Sequence, residues 1–384
     1  MGSLRRLTGV LVATLLLAGL CSSCLLTPGD TSKITLVSST TLNGWRYDYY
    51  RNNAYPCSIS GYQTFVIGTK VGSSASASAP LFVWMHGGGI GWFDSTGTPR
   101  PDTQQMTEQS ASALQSTLTN PGLLTSIRND AAGFRVLAVS YCNRDLYSGA
   151  DVRDPNNPNL NADGSAKTTN GLVATKAAIA FAQSTYPTSR YFLAGGSAGS
   201  AGAYEVAWAE QESKDPPAGV VGDASVLNAE QGQAAYQQGI CSNPAFGAAT
   251  SIIQQRFTPE IGNLDNEPDK LVSRGQLTVP LLHIWNHGDT NTCGSTPMQC
   301  PLRDGSVVTM GATDCNHQPL AAAIAASGNS RSMNLPVCVD DDGTPDCSLH
   351  VVTTHTGLTN TDPSTPPDYL GAVVAWVDAR LTDP

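Results

Sequence analysis

The chain has 384 residues, 40% of them apolar, enough to bury a sizeable core in one large domain or two medium ones. Only 14% are charged, the net charge is −10 and no basic block occurs, which argues against nucleic acid as a partner. A lightly charged chain rich in Gly, Ser, Thr and Asn fits an extracellular protein.

The first residues agree. Arg5-Arg6 precede an apolar run, Leu7 to Leu20, too short to span a bilayer comfortably. Residues 1–24 are therefore expected to be a secretory signal and 28–384 a single mature domain. Cys21 and Cys24 follow the run. Ordinary cleavage and lipid anchoring at either cysteine both stay open, because Leu20 separates Ala18-Gly19 from Cys21. No second apolar stretch approaches transmembrane length. Eight further cysteines, Cys57, Cys142, Cys241, Cys293, Cys300, Cys315, Cys338 and Cys347, suggest up to four disulfides of open connectivity. Only Cys315-Asn-His317 resembles metal spacing, and no metal or organic cofactor is expected.

Residues 30–75 carry short alternating runs that read as edge hairpins. Leu81 to Met85 is a continuous apolar run, as a buried central strand requires, and ends in His86 and three glycines. Residues 100–132 are helix-capable around Asp102. Phe134 to Cys142 is a second buried-type strand, and 150–170 an exposed loop. Gly171 to Tyr186 has helical periodicity and stops at Pro187. Tyr191 to Gly195 is the next strand. It meets a glycine pair, then Ser197, then Ala198 and a helix-forming stretch. Val279 to Trp285 is a late strand followed by Asp289. Strand, helix, strand, tight turn and helix in this order predict an α/β fold with a mostly parallel sheet flanked by helices. Residues 228–276, helical and broken by Pro244, Pro259 and Pro268, are expected to form a cap. Residues 290–350 are expected to form a cysteine-rich, disulfide-bearing insertion. A helix from Tyr369 to Leu381 closes the chain.

The chemistry gathers at strand ends. Gly195-Gly196-Ser197-Ala198-Gly199 has the strand–turn–helix setting of a nucleophile elbow. The amides of Gly88, Gly89 and Ala198 are candidates to stabilise an oxyanion. A serine needs a base, and the usual order in an α/β-hydrolase is Ser, acid, His. Asp289 fits as the acid, with Asp223 as the alternative. His355, expected at a strand end before the last helix, fits as the base, with His350 as the alternative. His287 either lines the pocket or bonds within its turn. Asp340, Asp342 and Asp346 around Gly343 have the look of a small calcium loop, or of a solvated acidic turn between Cys338 and Cys347.

Three segments carry a family resemblance: Gly87-Gly-Gly89 with Trp92 nearby, Tyr141-Cys142-Asn-Arg-Asp145 with Gly149, and Gly196-Ser197-Ala198-Gly199. Together with His355, Tyr369, Gly371 and Trp376 they resemble the pectin acetylesterase and Notum carboxylesterases, a branch of the α/β-hydrolases, over roughly residues 42–381. The chain departs from that pattern at His86, at Gly196 in place of Cys, and at Ser200. The plant members carry their histidine in a Cys-x-x-His segment, which Cys347-Ser-Leu-His350 mimics. The resemblance implies a secreted serine carboxylesterase acting through Ser-His-Asp acyl-enzyme chemistry, a deacetylase or esterase on a polysaccharide or small acyl ester. It adds Trp92, Tyr141 and Asp145 as pocket candidates. A lipase, polyester depolymerase or peptidase of the same fold, and a non-catalytic surface protein, are the competing expectations. The protein is expected to be a monomer.

Overall fold

Nine strands hydrogen-bond into one sheet in the computed structural model, which describes residues 25, 27–102, 105–225, 228–344 and 346–383. The expected signal, with Cys21 and Cys24, lies outside the described residues. The strands are β1 (Ile34–Leu42), β2 (Trp45–Pro56), β3 (Tyr62–Lys70), β4 (Ala79–Met85), β5 (Arg135–Val139), β6 (Thr188–Gly196), β7 (Gly219–Asp223), β8 (Leu281–Asn286) and β9 (Met333–Val337). Their order is β1-β2-β3-β5-β4-β6-β7-β8-β9. The first three are antiparallel, and from β5 onward every neighbour is parallel. This is the mostly parallel α/β-hydrolase architecture, with the hairpins of residues 30–75 at one edge.

The parallel strands are covered on both faces, which is why β4, β5 and β7 are buried along nearly their whole length. Helices α1 (Ala111–Thr119), α2 (Leu123–Asn129) and α9 (Tyr369–Leu381) pack on one face. There Leu114, Leu118, Phe82, Trp84, Phe192 and Trp376 form one core layer. Helices α3 (Gly171–Thr185), α4 (Ala198–Glu210), α6 (Pro244–Arg256), α7 (Pro268–Ser273) and α8 (Ala312–Ala326) pack on the other, around Leu81, Val83, Leu172, Tyr204 and Leu281. A short helix, α5 (Ala229–Gln237), precedes α6. α3 ends at Thr185 because Tyr186 precedes Pro187 and is held extended.

Two segments depart from expectation. Helix does not begin near Asp102. It starts at Ala111, where Ser110 caps the first turn by accepting from the Ala113 amide. Residues 290–350 are not wholly an insertion. They contribute α8 and the last strand of the sheet, β9, leaving a hairpin at 297–311 and the loop 338–350 outside that framework.

Of four disulfides, Cys241–Cys293, Cys300–Cys315 and Cys338–Cys347 pin these additions, and Cys57–Cys142 ties the end of β2 to the loop after β5. Cys315 is thereby removed from any metal role. Among the described residues no group of three or more His, Cys, Asp or Glu is arranged to hold a metal, and no helix is long and apolar enough to cross a membrane. In the acidic turn, Asp340 accepts from the Asp342 amide and from Thr344 and Ser348 hydroxyls, and Asp342 accepts from Thr344. Asp346 accepts from the Ser348 amide. All three carboxylates hydrogen-bond within the turn.

His287 also serves the scaffold. Its Nδ1 lies 2.7 Å from Asp314 and its Nε2 2.7 Å from Asp362, joining the end of β8 to α8 and to the loop before α9. The Asp314 bond, then the charge of both carboxylates, raises the imidazole from 6.5 to about 9. A raised histidine contributes stability below its unfolded pKa and loses it as pH rises through the folded one. The melting temperature should therefore fall between about pH 6.5 and pH 9, measured by circular dichroism. That fall should be absent in His287→Gln.

Candidate active site

The turn between β6 and α4 carries Ser197 at φ 56°, ψ −123°. A non-glycine residue there costs roughly 1–3 kcal/mol, a strain tolerated where it aims a side chain. The bend needs small neighbours. A Cβ on Gly199 would run into the Met85 carbonyl, and one on Gly196 into the Val351 side chain. The second contact explains why this chain has glycine rather than cysteine before the serine. The Ser197 amide donates to the Asp223 carbonyl at 2.8 Å, tying the elbow to the neighbouring strand end. Ala198 is the first residue of α4, so its amide has no intrahelical acceptor.

The glycine loop after β4 faces the elbow. A Cβ at Gly87 would sit 2.8 Å from Ser197 Cβ, and Gly88 and Gly89 have φ of 137° and 70°. Their carbonyls are held from behind. Tyr147 donates to His86 O, Arg144 to Gly88 O and Tyr141 to Gly89 O, at 2.9–3.0 Å. With the carbonyls so occupied, the loop's shape is fixed before any ligand arrives. Tyr141 and Tyr147 stack at 4.6 Å between centroids. Burial pushes the hydroxyls of both upward, keeping them protonated donors. His86 spans the Gly87 carbonyl at 2.7 Å and the Gln109 amide at 2.9 Å.

Asp145 is buried and does not face the cavity. It accepts from the amides of Gly149 and Gly171, capping α3 and folding the loop that presents Tyr141 and Tyr147. Arg256, the last residue of α6, is buried against Asp154 at 2.7 Å. It also donates to the carbonyls of Asn143, Arg144 and Gly91. A buried charge so fully paired locks α6 to the loops behind the glycines.

Asp289, wholly buried at the end of β8, accepts from the Asn291 amide and lies 2.6 Å from Nδ1 of His350. The expectation that His355 meets Asp289 is corrected here. His355 Nδ1 lies 3.1 Å from its neighbour Thr354 Oγ1, and its backbone packs against Gly122. The reason is local. Residues 350–355, β-branched and strand-like in sequence, do not join the sheet. Thr353 gives both its amide and its hydroxyl to Asp223, each at 2.7 Å, and residues 352–354 turn as a 3₁₀ helix. A carboxylate takes the hydrogen bonds that a neighbouring strand would have taken. Asn286 holds the approach, donating to the carbonyls of Val339, at the start of the Cys338–Cys347 loop, and Leu349, just beyond its end.

Asp223 thus sits beside the pair without joining it. Burial pushes its carboxyl up to about 7, with Asp289 adding to the rise and the Thr353 bonds and His350 opposing it.

Ser197, His350, Gly87, Gly88 and Gly89 line one cavity of about 810 Å³, within the range of small-molecule sites. Trp92, Tyr141, Asp145 and His287 do not line it. Gln109 and the facing sides of α1 and α6 do, and these residue identities were not singled out in the sequence. Phe246, Ala249 and Ile253 fall at i, i+3 and i+7 of α6, a spacing that could have flagged them.

No protein-family model and no curated protein sequence matches this chain. Among solved structures it is similar to a fungal esterase from Rhizomucor miehei, at 14% identity over 96% of this chain and 90% of that one, with a TM-score of 0.46. It is similar to a thermostable esterase from Pseudomonas putida ECU1011, at 14% identity over 94% and 85%, with a TM-score of 0.43. It is also similar to the rice cell wall degrading esterase LipA from Xanthomonas oryzae, at 12% identity over 79% and 89%, with a TM-score of 0.39. Overlaps of this grade say nothing of substrate or chemistry, which must come from the chain's own geometry.

Proposed function

We propose that the protein is an extracytoplasmic serine ester hydrolase. Ser197 Oγ attacks the ester carbonyl while His350 takes its proton, and Asp289 orients the imidazole and stabilises its charged form. The amides of Gly88, Gly89 and Ala198 bind the oxyanion. His350 then protonates the leaving alkoxide. Water, activated by the same imidazole, releases the acid from the acyl-enzyme and returns the proton to Ser197. The observation that carries this assignment is the 2.6 Å bond between His350 and buried Asp289, on a cavity shared with a strained serine at a strand–helix turn. Four disulfides support export. The Tyr141-to-Asp145 loop supports kinship with the pectin acetylesterase and Notum branch, since Tyr141 and Asp145 shape the glycine loop and its support.

The acid distinguishes this assignment from its nearest rival. Asp289→Asn should lower kcat/KM on an activated ester by roughly 10³–10⁴-fold, because the amide selects the wrong imidazole tautomer. Asp223→Asn, whose amide oxygen can still accept from Thr353, should stay within about tenfold of wild type, a change of at most one decade or about 1.4 kcal/mol. Equal losses in the two variants would make Asp223 a second member of the catalytic group.

A further inference from the structure

The cavity has two unlike walls, and they lie over opposite faces of the sheet. One wall is mainly apolar: Ala245, Phe246, Ala249 and Ile253 from α6, with Leu146 and Ile90, and with Asn243 at the helix's N-cap. Ile253 and Leu146 belong to the core layer on the α4 side. The other wall is mostly polar: Ser116 and Thr117 from α1 and Asn120 at its C-cap, with Thr354, and with Ala113 as its one apolar helix residue. α1 is rooted through Leu114 and Leu118 in the opposite layer, together with Val352 from the turn that follows His350. Ser197 stands at the strand end between the two.

His350 settles which part of a substrate meets which wall. The leaving oxygen must reach the imidazole to be protonated. His350 runs into Val351 and Thr354, which line the cavity, and Val352 between them packs in the same core layer as Leu114 and Leu118 of α1. The alcohol part therefore lies along α1, and the acyl part points beneath α6.

Ser116 and Thr117 both donate to the Ala113 carbonyl, at 2.8 and 3.1 Å, so their oxygens offer lone pairs to an incoming hydroxyl. Ser116 and Asn120 are exposed, leaving this side open to a large, solvated group, whereas Ile253 is buried. No lining residue carries a permanent charge, and the chain's net charge is −10. Nothing there would compensate an anionic leaving group.

We infer that the substrate is an ester joining an apolar acyl chain of several carbons, seated under α6, to an uncharged polyol or polysaccharide lying along α1. The inference rests on Ser197 being the nucleophile. Hydrolysis adds water across the acyl–oxygen bond and yields a free fatty acid and the neutral alcohol.

The test uses the full-length secreted protein with 4-nitrophenyl acetate and octanoate, and with the octanoyl monoesters of methyl glucoside and methyl glucuronide. Wild type should favour octanoate over acetate, and the neutral glycoside over the anionic one, each by at least tenfold in kcat/KM. Ala249→Trp, which fills the apolar wall, should lower the octanoate-to-acetate ratio at least tenfold. Thr117→Lys should narrow the neutral-to-anionic ratio. A wild-type preference for acetate overturns the acyl assignment, and equal turnover of the two glycosides overturns the polyol assignment. These wild-type measurements stand even if a variant fails to fold. If no ester is turned over while a fluorophosphonate still modifies Ser197, the substrate inference alone fails. If Ser197 is not modified either, the hydrolase assignment fails with it.

Discussion

His350→Ala is expected to lower kcat/KM for ester hydrolysis by about 10⁴-fold or more, while His355→Ala stays within a few-fold of wild type. The asymmetry follows from geometry. His350 is held by Asp289 at 2.6 Å and borders the cavity that contains Ser197, whereas His355 contacts Thr354 and lies off the cavity. In the proposed mechanism, removing the base leaves the oxyanion amides and substrate binding intact, so a residual rate over water should survive. Steady-state kinetics on a 4-nitrophenyl ester measure both variants, with circular dichroism confirming the fold. The reverse pattern would return the base to His355 and require residues 350–355 to rearrange.

Ser197→Ala should be as severe, with kcat falling by about 10⁴–10⁶-fold and the fold intact. Alanine at φ 56° keeps the strain of the elbow but no longer has a use for it. Its melting temperature should therefore match wild type or lie slightly below it. In the proposed mechanism Ser197 and His350 act as one unit, so the double variant should lose little beyond either single one. Additive losses would show that they work independently.

Much of this was legible in the residues because the central strands of a parallel sheet are buried on both faces and read as plain apolar runs. Leu81 to Met85, Tyr191 to Gly195 and Val279 to Trp285 announce themselves, and each is followed at its carboxyl end by a segment of the candidate site. The elbow is legible because only small residues can pass the Met85 carbonyl and Val351. The histidine was harder. Met333–Val337 is a short edge strand containing Asn334 and Pro336, with none of the continuous apolar character of its neighbours. Val351 to Thr354 looks more like a strand and draws attention to His355, at its end. Tertiary bonds decide otherwise. Asn286 and the Cys338–Cys347 loop place His350, and Asp223 takes Thr353 away from the sheet. The cavity walls were hidden for a different reason. α1 and α6 meet only through the folded sheet, about 130 positions apart in sequence, and neither carries a motif.

The most direct measurement is covalent labelling of the folded protein with a fluorophosphonate, followed by peptide mass mapping. One adduct per chain, carried by Ser197, lost in Ser197→Ala and strongly slowed in His350→Ala, is the result expected of an activated serine. Folded protein that hydrolyses esters yet carries no adduct on Ser197, or carries it on another residue, would contradict the central claim.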